Sequence, residues 1–262
     1  MNRSRLAVTG LAVLASLSLL SACTANPNAQ TTPTPKGATE ILNDAAAKTK
    51  DQSFKYTVTY GDMLSGDGAR DATGANTLRN VTVKTGTNGL TIVAKVLHVG
   101  DKVYVKLDLG AFGSFVPGLG GVGDRWLLID TTKLNPNGLS ASLVPTADSS
   151  TIDAYIKGVV TAETVSPTEI KGTVDISKSA PVALPASELN KLTADQKVVP
   201  FTATLDDQGR VIKTVISMPA VAGYPAAPLT TSYTDYGAAV TIQAPGATEI
   251  VAAPDTLYLI LP

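Results

Sequence analysis

From Phe54 onward the chain repeats its apolar residues at every second position, and that period commits most of it to β-sheet. Tyr56, Val58 and Tyr60 alternate with Lys55, Thr57 and Thr59, and Val81 and Val83 alternate with Thr82 and Lys84. Alternation of this kind separates the two faces of a half-buried strand. Residues 90–99 and 103–109 read as a hairpin joined at Gly100-Asp101. In its second strand Val103, Val105, Leu107 and Leu109 face one way, while Lys102, Tyr104, Lys106 and Asp108 face the other. Residues 126–130 add a short strand, and residues 169–177 set Ile170, Val174 and Ile176 against Glu169, Lys171, Thr173 and Asp175. Residues 198–205 and 211–218 flank Asp206-Asp207-Gln208-Gly209, the strongest hairpin signal in the chain. Residues 229–236 and 239–243 are expected to finish the sheet, leaving residues 246–262 as an apolar tail.

Helical pattern is confined to short segments. Thr39 is placed to cap a helix running to about Lys50, with Ile41, Leu42, Ala45 and Ala46 on one face. Residues 134–165 read as one or two short helices interrupted by Pro136 and Pro145, clearest over 149–157, and Pro185 introduces another to about Leu192. The sum is an α+β fold: a single curved antiparallel sheet (a half-barrel) wrapped around a few helices. A sheet too wide for its helices leaves an apolar cavity, and such a concavity is a ligand site.

The start of the chain bears on location. Arg3 and Arg5 precede an apolar run over residues 6–20, and Leu20-Ser21-Ala22-Cys23 follows. This is the anatomy of a secretory signal peptide, and the cysteine after small residues makes it a bacterial lipoprotein signal. Residues 1–22 are then a lipoprotein signal peptide, with Cys23 the lipidated mature N-terminus. Residues 23–37, polar and proline-rich, form a disordered tether, and residues 38–262 form one lipid-binding half-barrel domain. The expected location is the extracytoplasmic face of the cell membrane. A transmembrane anchor would need ~20 apolar residues, and this run is shorter and broken by Thr9 and Gly10.

Charge excludes one class of partner. Net charge is −1, and losing Arg3 and Arg5 leaves 19 basic against 22 acidic residues, near −3. No basic excess remains for a phosphate backbone, so nucleic acid is not an expected partner. With Cys23, the one cysteine, lipidated, no thiol is left for a disulfide, a metal site or a nucleophile.

The order of several motifs resembles the LppX/LprA/LprF/LprG family of actinobacterial lipoproteins, LolA-like lipid carriers. The similarity runs through Val103-Tyr104-Val105, Trp126, Leu134-Asn135-Pro136-Asn137-Gly138-Leu139 and Leu143. It continues through Ile170-Lys171-Gly172-Thr173-Val174, Val199-Pro200-Phe201-Thr202-Ala203, the Asp207–Gly209 turn and Tyr233-Thr234-Asp235-Tyr236-Gly237. None of these motifs is catalytic. The resemblance implies a curved antiparallel sheet enclosing acyl chains, and family members are thought to move or present envelope lipids such as acylated glycolipids. A glycine-rich insertion before Trp126 and the tail past Gln243 depart from the family pattern.

Other chemistry is weaker than its structural alternative. Gly118-Leu119-Gly120-Gly121-Val122-Gly123 satisfies G-x-G-x-x-G, but a strand follows it where a dinucleotide site needs a helix. Phe112, Phe115, Val116 and Leu119 are the apolar contacts of a mobile lid in one reading and part of an ordinary surface loop in the other. His98, the one histidine, sits in an alternating strand without a spaced acid or serine. Asp206 and Asp207 are explained by their turn. Asp51, Asp62, Asp67 and Asp71 lie near loops without calcium-loop spacing. No enzyme, cofactor or metal site is expected.

Leu90, Ile92, Val96, Val103, Val105, Leu107, Trp126, Leu139 and Leu143 are the candidate ligand-binding residues, lining a lipid cavity or simply packing under helices. Trp126 reads either as core or as cavity wall. The expected function is to bind acylated lipid or glycolipid and carry or present it in the envelope, with the membrane and a membrane transporter as further partners. The alternative is a surface-tethered interaction or envelope-sensor module without cargo.

Overall fold

The structure is a computed structural model that describes residues 36–85, 90–110, 113, 124–134, 151–179, 186–221 and 224–260. Its frame is one open, curved twelve-stranded sheet. Strands β1 (Phe54–Tyr60), β2 (Leu64–Arg70), β3 (Asn76–Thr85), β4 (Leu90–Val99), β5 (Lys102–Asp108) and β6 (Trp126–Ile129) form one antiparallel meander. Strands β7 (Val159–Ser166), β8 (Glu169–Asp175), β9 (Val198–Leu205), β10 (Val211–Met218) and β11 (Ala227–Thr234) form a second. The meanders join where β1 pairs antiparallel with β11. The edge strand β12 (Ile250–Ala252) lies parallel to β6, so the sheet is antiparallel everywhere except at that edge.

Among the described residues five short helices accompany the sheet: α1 (Ala38–Thr49), α2 (Thr151–Lys157), α3 (Ala186–Leu189), α4 (Ala194–Lys197) and α5 (Asp255–Ile260). Among the described residues no helix is long and apolar enough to cross a membrane. The N-cap of α1 is Gly37 without a side-chain hydrogen bond, and Thr39 stands inside the helix, which corrects the expected cap. The expected apolar face holds: Leu42, Ala45 and Ala46 are buried, with Ile41 packed beside them.

Three assignments differ from the sequence expectation. Residues 159–166 are a strand, not the end of a helix. The β2 strand, LSGDGAR, carries no run of branched residues that would announce it, and Asp67 lies inside it rather than near a loop. Residues 239–243 form no strand, and the sheet is completed by β12 instead. The Asp206 turn stands as expected. Its carboxylate accepts hydrogen bonds from the backbone N–H of Gln208 (3.0 Å) and Arg210 (2.8 Å) and from Arg210 Nε (2.7 Å). Gly209 supplies the left-handed backbone the turn needs, at φ +72°.

Strand register defines an inner face that runs unbroken across the sheet. Phe54, Val58 and Tyr60 of β1 share it with Leu229 and Tyr233 of β11, Ile216 of β10, Phe201 and Ala203 of β9, and Ile170 and Val174 of β8. These residues form the largest apolar cluster together with Leu42, Ala45 and Ala46 of α1, Ile152 and Tyr155 of α2, and Leu189 of α3. Farther along the same face, Val96, Val103, Val105, Leu127 and Ile129 form a second cluster closed by Leu257 of α5. The outer face of this region has its own cluster of Leu97, Tyr104 and Trp126, on which Ile242 and Ile250 pack. Tyr104 is therefore buried, not solvent-facing as a half-buried strand would have it.

Candidate ligand-binding face

The candidate site is the seam between α1, α2 and the inner face of β7–β10. Helix α2 puts Ile152 and Tyr155 inward, both buried, because they fall three positions apart on one side of a two-turn helix. Leu42 of α1 meets them there. Between these helices and Val159, Val174, Phe201, Ala203, Val211, Thr214 and Ile216 of the sheet lies a void, lined also by Ile156. The surface it exposes is carbon. The void offers about 20 Å³ to the centre of a water-sized sphere. That is room for about one water. A pocket filled by a ligand runs to ~300–1,000 Å³, so an acyl chain enters this seam only if α2 separates from the sheet.

Hydroxyls border the seam. Tyr155 OH lies 3.2 Å from Thr231 Oγ1, and Thr231 stands opposite Thr214 on the neighbouring strand. Burial pushes the Tyr155 hydroxyl up from its ordinary pKa, while the Thr231 and Thr214 hydroxyls oppose the rise. The phenol therefore stays protonated at neutral pH.

The residues expected to bind ligand fall elsewhere. Ile92, Val96, Val103, Val105 and Leu107 do share one side of β4 and β5, as alternation required. They lie at the other end of the inner face from the void, and α5 covers Val96, Val103 and Val105 there. Trp126 is on the opposite face. Its ring takes the ammonium groups of Lys95 and Lys106 at 5.7 and 5.5 Å, and Lys106 also pairs with Asp124 at 2.9 Å. Leu90 lies in β4, but its side chain is outside the described residues, as are Cys23, Phe112, Phe115, Val116, Leu119, Leu139, Leu143 and the glycine-rich segment 118–123. His98 is on β4 with Nδ1 3.2 Å from Ala75 O, an ordinary surface contact. Among the described residues no cluster of three His, Cys, Asp or Glu side chains could hold a metal ion.

Sequence reasoning missed the void-lining residues of α2 and of the first strand of the second meander. Ile152, Tyr155 and Ile156 are visible as a helical triplet, but nothing local tells which strands they cover. No protein-family model and no curated protein sequence matches the chain.

Proposed function

We propose that this protein is a membrane-anchored lipoprotein that binds the acyl chains of a lipid or glycolipid between α1, α2 and the sheet, and carries or presents it in the cell envelope. The observation that carries the reading is the carbon-lined void at the helix–sheet seam. It is the point where an apolar chain finds matching surface once α2 lifts. The signal-like segment ending at Cys23 and the motif order shared with the LppX-type lipoproteins support the same reading. The mechanism is desolvation without covalent chemistry. Each buried methylene contributes ~0.8 kcal/mol gross, and extraction from a membrane cancels most of it, so shape fit and opening of the seam govern net transfer.

The test is titration of the full chain with saturated fatty acids of C12 to C18. Saturable one-to-one binding is expected, tightening by up to ~4-fold per methylene, with altered amide exchange in α2. Absence of saturable binding at every length would refute the proposal.

A second reading, an interaction or envelope-sensor module without cargo, is favoured by the small volume of the void and by two apolar side chains on the open edge strand β7. Val160 and Val165 of that strand are 54% and 51% exposed. An exposed edge of this kind can pair with another chain.

A further inference from the structure

Two threonines stand in the middle of the apolar inner face. Register sets Thr231 of β11 opposite Val58 of β1 on one side and Thr214 of β10 on the other, and Thr214 in turn lies opposite Ala203 of β9. Both threonines are buried, Thr231 at 2% exposure and Thr214 at 5%. Thr231 Oγ1 lies 3.2 Å from the Tyr155 hydroxyl of α2. Thr214 Oγ1 has no hydrogen-bond partner. It stands near enough to the Tyr155 hydroxyl to oppose the rise in its pKa, without completing a hydrogen bond to it. A buried hydroxyl left unmatched keeps the full cost of leaving water. A valine would fill nearly the same space without that cost, so packing alone gives no reason for a threonine here.

The three hydroxyls belong to the seam that must open. Tyr155 and Thr214 both line the void, with their oxygens bordering it rather than opening onto it. Tyr155 rides on α2, while the threonines are fixed in the sheet. Lifting α2 to admit a chain therefore draws Tyr155 away from Thr231 and leaves hydroxyls on both walls facing the newcomer. An oxygen-free chain cannot answer them, and every unmatched group counts against its binding. A chain with an oxygen at this depth accepts from the phenol or from a threonine and restores what the opening broke. No charged side chain lines the void, so a carboxylate or phosphate would enter it without a counter-ion, at a large desolvation cost. A neutral oxygen bears no such cost.

We propose that Tyr155, Thr231 and Thr214 form a polar recognition site inside the seam, which takes a neutral oxygen of the acyl ligand, an ester carbonyl or a hydroxyl, in exchange for the Tyr155–Thr231 contact. The proposal rests on the lipid reading and adds to it the kind of oxygen the cargo carries. It makes the seam selective as it opens, since the contact that closes α2 is the one the ligand replaces.

The experiment titrates the full chain with dodecanol and with methyl dodecanoate, each against an alkane of equal heavy-atom count, and with dodecanoate. At least one of the two neutral ligands is expected to bind at least ~5-fold tighter than its alkane, equivalent to ~1 kcal/mol. The tighter of the two identifies the oxygen, because the ester only accepts and the alcohol also donates. Dodecanoate at neutral pH should bind more weakly than dodecanol. Thr214→Val and Tyr155→Phe should each narrow the preference over alkane, and the double variant should erase it. Hydroxyls that merely pin α2 would change stability and the affinity for all chains together, leaving that ratio as it was. An unchanged ratio in the folded double variant would therefore overturn the proposal. So would alkanes bound as tightly as both oxygenated ligands by the wild type, a comparison that needs no variant to fold. Dodecanoate bound more tightly than dodecanol would overturn the assignment of a neutral oxygen. Saturable binding of every chain without preference defeats the recognition site and leaves the lipid reading standing, whereas binding of none defeats both.

Discussion

The two ends of the sheet are built by different means. Under α1 and α2, strands β1 and β7–β11 bury one face in a single large cluster, and their outer face is studded with threonine, serine and lysine. At the other end β4–β6 carry an apolar cluster on each face, and both covers come from residues after β11. Ile242 and Ile250 close the outer side, β12 extends the edge, and Leu257 of α5 closes the inner side. The first region is held by many elements and contains the void. The second is held by one strap, fixed by the hydrogen bond from Asp130 N–H to Tyr258 OH (2.8 Å), the Lys133–Asp255 pair (2.7 Å) and Ala253 N–H to Leu128 O (3.1 Å). A six-residue helix has little stability of its own. The difference teaches that apolar alternation marks what will be buried but not what will bury it: β4 and β5 have the cleaner pattern, yet the void lies elsewhere.

Substitutions sharpen this contrast, and the largest effect is expected at the helix-covered end. Phe201→Ala removes a ring from the void wall and should cost about 3–5 kcal/mol in urea unfolding, with loss of protection across the whole inner face. Leu257→Ala should cost about 2 kcal/mol, at the low end for a buried leucine because the strap can relax. Its increase in amide exchange should stay within β12, β6 and α5. Exchange that spread to β9 and β10 would erase the distinction between the ends. Thr193→Ala removes the hydroxyl that accepts from Gln196 N–H in the α4 capping box and should cost about 1 kcal/mol.

Acid should act on the helix-covered end through its turns. At Asp206 burial alone would raise the carboxyl pKa, but hydrogen bonds from the Arg210 backbone and guanidinium, with its charge, outweigh burial and hold the pKa below the ordinary value. At Asp175 the Ser177 hydroxyl leads the same lowering. A carboxylate depressed in the folded state contributes stability above the unfolded value of about 3.9, lost as pH falls through the folded value. Stability should therefore drop below about pH 4, and Asp206→Asn should lower stability at pH 7 while flattening that drop. The smallest effect is expected at Lys106–Asp124, whose carboxylate is 94% exposed. Asp124→Asn should change unfolding free energy by less than about 0.5 kcal/mol.

How far the sequence could be read follows the same physics. Hairpins closed by Gly100 and Gly209 were legible because turn chemistry and alternation agree on both sides. The β2 strand was not, because Gly66 and Gly68 stand at its inward positions, where close approach of Tyr56 and Val58 replaces side-chain packing. The β7 strand, VVTAETVS, was hidden because an open edge needs no continuous apolar face, and it follows α2 after a single glycine. The candidate ligand residues of β4 and β5 were correctly grouped on one side, but α5 comes from about 150 residues later and no local signal predicts that it covers them.

Native mass spectrometry with organic extraction, on protein produced with its own N-terminal segment in an actinobacterial host, tests the central claim most directly. The account predicts an acylated lipid co-purifying at close to one per chain. A clean unliganded mass that takes up no added lipid would contradict it and leave the interaction module as the better description.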